Sequence, residues 1–97
     1  MSPLVQLALA ALFDREDCEE AERILRMDCC PDAVPGLSRN ASNKNERVYH
    51  AALKLSGGSL PKLYDAIALA QTDYRDLLMA TDFGNPNAHK SWKPRAP

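Results

Sequence analysis

Cys29, Cys30, His50 and His89 are the residues in this chain that most resemble a set of metal ligands. A structural zinc site takes two sulfurs from one turn at a spacing of two to four residues, so that both reach a single tetrahedral ion. Adjacent cysteines point in different directions and no second pair follows, so neither a metal nor a cofactor is expected. Thiol catalysis needs a cysteine with a lowered pKa. Cys18 opens a helix among Asp17, Glu19 and Glu20, whose charges raise it. Cys29 and Cys30 close the same helix, whose negative end also opposes a thiolate. The nucleophile-elbow pattern of serine hydrolases is missing, and only two histidines could serve as a base. The run Ser56-Gly57-Gly58-Ser59-Leu60-Pro61-Lys62 offers free backbone N–H groups and a lysine to an anion. It lacks the phosphate-loop spacing and reads as a turn between helices. No catalytic residue is assigned, and no enzymatic activity is expected.

Charge offers more. Thirteen acids and twelve bases give a formal charge of -1, which supplies no global field for nucleic acid or acidic lipid. The distribution is uneven, because residues 1–32 carry eight acids and three bases while residues 33–97 carry five acids and nine bases. Arg39, Lys44, Arg47, Lys54 and Lys62 cluster around the middle of the chain, and Lys90, Lys93 and Arg95 sit in the tail beside His89 and Trp92. Interleaved with Tyr49 and Trp92, these cations could hold a nucleic-acid strand by phosphate neutralisation and base stacking. A helix-turn-helix reading of the last long helices is opposed by Asp73 and Asp76, which would face the phosphates. Nucleic-acid binding through Arg39, Lys44, Arg47, Lys54, Lys90 and Lys93 is therefore the alternative function, not the leading one.

Positioning these side chains falls to helices. A chain of 97 residues, 45% of them hydrophobic, is a single domain that buries roughly 60–65% of its unfolded surface, with no room for a large enclosed active site. No segment alternates with period two, so the expected fold is all-α, about five short helices packed as hairpins around one core. Ser2-Pro3 starts a helix that is apolar almost all round and runs to Phe13, which marks it as the central helix or as part of an interface. Asp14–Asp17 turns into a second helix ending near Met27, with Cys18, Ala21, Ile24 and Leu25 inward and the pairs Glu19–Arg23 and Glu22–Arg26 outside. Residues 29–44 form a long irregular link, which Val34 and Leu37 can tie to the core. Asn43 and Glu46 resemble a capping box for a third helix with Val48, Ala51, Ala52 and Leu55 inward. Ser59 caps a fourth, with Leu60, Leu63, Tyr64, Ile67 and Ala68 as its stripe. Thr72 or Asp73 caps a fifth, where Tyr74, Leu77, Leu78 and Thr81 share a face, and a last turn carries Ala88, His89 and Trp92. The helical domain spans residues 1–92, and residues 93–97 form a frayed tail.

The odd cysteine count without framework spacing points to reduced thiols and a cytoplasmic protein. The apolar run from Leu4 to Phe13 lacks the preceding basic residues of a signal peptide and falls far short of the roughly 20 residues that span a bilayer. Asn40-Ala41-Ser42 has the form of a glycosylation sequon, which carries no meaning in that compartment.

Leu12, Ala21 and Leu25, around the turn Asp14–Asp17, resemble the helix–turn–helix unit of tetratricopeptide repeats over about 20 residues. The unit's aromatic-rich first helix and closing proline are missing, and Val48–Ala70 does not repeat the pattern, so the chain is not assigned to that family. The resemblance implies protein binding in a groove between hairpins. The expected function is a non-enzymatic module that binds another protein or itself, with Tyr74, Met79, Phe83 and Trp92 as candidate anchors of the kind enriched at interfaces.

Overall fold

A computed structural model describes residues 2–94, which form α1 (Pro3–Leu12), α2 (Arg15–Asp28), α3 (Ser42–Ser56), α4 (Leu60–Ala80) and the short α5 (Ala88–Ser91), with no strand among them. The fold is all-α. None of these helices is long and apolar enough to cross a membrane.

Local chemistry sets the helix ends. Ser2 Oγ accepts from the Val5 N–H at 3.2 Å and starts α1. No glycine or proline separates α1 from α2. The break comes instead from Asp14, whose carboxylate accepts from the Asp17 N–H at 2.9 Å and so caps a new helix. Arg26 pairs with Glu22 at 2.6 Å as the spacing suggests. Arg23 pairs with Glu20 rather than with Glu19, and Tyr64 of α4 donates to the same carboxylate at 3.2 Å.

The central helix is α3, not α1. It buries Asn45, Val48, His50, Ala51, Ala52, Leu53 and Ser56, and it packs against α1, α4 and α5. Its alanines and serine let neighbours approach on several sides. By contrast, α1 buries only Val5, Ala8, Leu9 and Leu12. The expected capping box does not form. Ala41 precedes α3 without a side-chain cap, the Asn43 amide donates to Pro86 O at 3.0 Å, and Glu46 accepts from the Ser2 hydroxyl at 2.6 Å. Both polar residues thus tie chain segments more than forty positions away onto α3.

Between α2 and α3, residues 29–41 follow a defined path, three residues shorter than the expected link. Val34 is fully buried, Leu37 packs on the core, and the Asn45 amide holds Ser38 O at 2.8 Å. Gly36, at φ +90°, backs against the Tyr74 ring, where a Cβ would come within 2.6 Å of Cε1.

Gly57 and Gly58 adopt positive φ and reverse the chain between α3 and α4. The buried line of α4 runs through Leu63, Ala66, Ile67 and Ala70, which leaves Tyr64 and Ala68 exposed; on α3, Leu53 is buried and Leu55 is exposed. The expected fourth and fifth helices are the two halves of α4, broken at Asp73 (φ -161°, ψ 104°), whose carboxylate accepts from the Arg75 N–H at 3.0 Å. Leu77, Leu78 and Thr81 are buried and Tyr74 is half-buried. Of the expected frayed tail, residues 95–97 lie outside the described residues, while Lys93 and Pro94 line a groove taken up below.

Candidate functional site

The apolar circumference of α1 is only partly covered. Leu4 is 49% exposed and Leu7, one turn on, is 67% exposed. Across from them runs the C-terminal turn, and between the two lies a groove of about 230 Å³. Leu4, Leu7 and Ala8 form one wall, His50 and His89 contribute imidazoles, and Trp92 and Pro94 add apolar surface. Lys90 and Lys93 also line it.

The imidazoles are held in place by α3 and α5. His50 lies one helical turn after Glu46, and its Nδ1–H donates to Glu46 O at 2.7 Å, a bond that only a protonated Nδ1 can make to a carbonyl. In the neutral ring Nε2 is then the acceptor. The Glu46 carboxylate lies 3.9 Å from the same nitrogen and is shared with the Ser2 hydroxyl. The His89 ring sits 5.2 Å from the His50 ring, centroid to centroid, and is 3% exposed. Its Nδ1 is buried and makes no hydrogen bond. Burial, and after it the neighbouring His50 and Lys90, push the His89 pKa below the ordinary imidazole value; Glu46 opposes this, and Arg47 adds to it. Trp92 meets His50 edge-on at 6.2 Å and Phe83 at 5.9 Å, so its indole joins the groove to the core.

The four candidate anchors do not form one surface. Phe83, at 2% exposed, belongs to the core. Trp92 lines the groove just described. Tyr74 and the exposed Met79 share a second groove with Arg75, Leu78 and Gly84, on α4 and past its C-terminal end, and with Arg47 of α3.

The basic residues are placed as follows. Arg39 pairs with Asp32 at 2.6 Å in the loop, and the Lys44 ammonium stands 5.4 Å above the Tyr74 ring. Arg47 donates to the carbonyls of Phe83 and Gly84 at 3.3 and 2.9 Å. Lys54 donates to Thr81 O at 2.8 Å and lies over the Phe83 ring. Lys54 thus meets the carbonyl of the α4 C-cap, where a cation also suits the helix dipole, and Arg47 meets two carbonyls of the turn that follows. Lys90 and Lys93 belong to the groove, and Arg95 lies outside the described residues.

Two of the three thiols, Cys18 and Cys29, are poor nucleophiles. The Cys18 pKa is raised first by burial and then by Glu22 and Glu19, and burial pushes Cys29 up to about 12, with Cys30 and Asp28 adding to it. Among the described residues no three His, Cys, Asp or Glu side chains are placed to hold a metal ion. The glycine turn before α4 is occupied by its own serines: Ser56 Oγ donates to Leu53 O at 2.6 Å and accepts from the Gly58 N–H at 3.3 Å.

Leu4 and Leu7 are not among the candidate anchors read from the sequence, and His50 and His89 enter there as would-be metal ligands. The surplus apolar face of α1 was the signal for the first two. For the histidines nothing local reveals that residues 39 positions apart would share one groove.

Comparison with known protein families, curated proteins and solved structures finds no match to this chain.

Proposed function

We propose that this chain is a protein-binding module that docks an apolar segment of a partner in the groove between α1 and the C-terminal turn. The carrying observation is that Leu4 and Leu7 stand exposed beside Trp92, around a preformed depression with a buried, unpartnered imidazole nitrogen. Leucine, tryptophan and aliphatic neighbours grouped at one concave place are the kind of surface that interfaces bury at their centre. A two-fold pairing of this groove with itself would gather Lys90 and Lys93 of both copies at one contact, so the charges favour a different, acidic partner over self-association.

The test is selection from a peptide library, displayed both as internal segments and with free C-termini, against the full chain. Selected peptides should lose at least tenfold in affinity for Leu7→Lys and for Trp92→Ala, while Tyr64→Ser, on another face, binds as the wild type does. Peptides that bind all three variants equally would contradict the reading.

A further inference from the structure

We propose that the groove between α1 and α5 recognises the C-terminus of a partner chain, taking one apolar side chain between Leu7 and Trp92 and the adjoining carboxylate at Lys90 and Lys93. This rests on the docking reading above and names the chemistry of the partner.

Size sets the first limit. At about 230 Å³ the groove falls below the roughly 300 Å³ at which pockets begin to enclose a whole small ligand, and it suits a single side chain. A docked amphipathic helix needs a row of pockets for anchors at i, i+3 or i+4 and i+7. Here there is one.

Charge sets the second. Lys90 and Lys93 line the same groove, and among the described residues neither pairs with a carboxylate. The carboxylate of Glu46, beside His50, accepts from the Ser2 hydroxyl, which leaves two ammonium groups against one carboxylate around the groove. An anion next to the apolar anchor is therefore favoured.

Hydrogen bonding sets the third. With Nδ1 of His50 donating to Glu46 O, Nε2 is left as an acceptor, and the His89 Nδ1 is a buried polar atom without a partner. The last residue of a chain supplies an apolar side chain and a carboxylate within one unit, with an amide N–H free to meet the His50 Nε2 acceptor. An acidic residue inside a helix supplies the charge, but its N–H is committed to the helix. Capture of chain termini by convergent polar groups is a recurring mode of peptide recognition.

The experiment uses the full chain and pools of six-residue peptides ending in Leu, Ile, Val or Phe. Each pool is made as the free acid, as the C-terminal amide, and with a Gly-Ser extension. Trp92 is the single tryptophan, so its fluorescence reports on the groove, and the two histidine rings give separate NMR signals. The free acid should bind saturably, and the amide and the extended peptide at least tenfold more weakly. The double variant Lys90→Gln, Lys93→Gln should lower the affinity for the free acid about tenfold and leave that for the amide unchanged, with the fold intact by circular dichroism. Equal binding of all three forms overturns terminal recognition and leaves the docking reading standing. If no free acid binds but an internal segment selected from the library perturbs Leu7, terminal recognition again fails alone. If no peptide of any form perturbs the groove, both fail.

Discussion

His89 shows at the residue scale how burial turns a side chain into a pH sensor. Its ring is nearly inaccessible, and its neighbours on every side except Glu46 disfavour the cation. The folded state therefore holds the neutral ring more firmly than the unfolded chain does. As pH falls below the ordinary value of 6.5 the unfolded chain takes up a proton first, so stability is full above that pH and declines as pH drops towards the lowered folded value. The melting temperature of the wild type should fall between pH 7.5 and 5.5, and His89→Phe should flatten that slope; an unchanged slope would remove His89 as its source. Legibility at this scale was uneven. The poor reactivity of Cys18 and Cys29 follows from sequence, although burial rather than charge is the leading cause. The roles of Lys54 at the α4 C-cap carbonyl and of Arg47 at the carbonyls of the following turn did not follow, because those carbonyls lie 27 to 37 positions away.

Capping chemistry was the most legible part of α1 and of both halves of α4. Ser2 and Ser59 start helices where the sequence places them, Asp73 is one of the two caps expected before the last long helix, and Asp14 caps α2 at the head of a segment that reads as a turn. Removing the Asp73 carboxylate by Asp73→Ala should destabilise the protein by about 1 kcal/mol, the usual worth of a helix N-cap, as read by urea unfolding. The link before α3 is pinned rather than loose, and its tightest point is Gly36 against Tyr74. Gly36→Ala demands both a left-handed backbone and room that the ring occupies, so it should cost about 1–3 kcal/mol; a variant as stable as the wild type would contradict the close approach. Asn43 and Glu46 mislead as a capping box because spacing alone cannot show that Pro86 and Ser2 arrive to claim them. The expected inward faces of α3 and α4 hold at Val48, Ala51, Ala52, Leu63 and Ile67 and fail at Leu55, Tyr64 and Ala68. Small residues such as Ala66 and Ala70 take the buried line, and the larger Tyr64 is turned outward to Glu20.

For the whole molecule, helix content and the single core follow from periodicity, whereas the identity of the central helix does not. Hydrophobicity pointed to α1, but the centre goes to α3, whose small residues tolerate neighbours on several sides. The leucines that α1 leaves uncovered are the basis of the docking proposal, and they should behave unlike its buried ones. Leu9→Ala, at a fully buried site, should cost about 2–5 kcal/mol. Leu7→Lys should stay within about 0.5 kcal/mol of the wild type in thermal unfolding. A large loss of stability in Leu7→Lys would mean that the residue serves the fold instead. The most direct test of docking is chemical-shift mapping of the full chain titrated with its best selected peptide. The proposal predicts that the shifts concentrate at Leu4, Leu7, His50, His89 and Trp92. Shifts centred on Tyr74 and Met79, or none above background at α1, would contradict it.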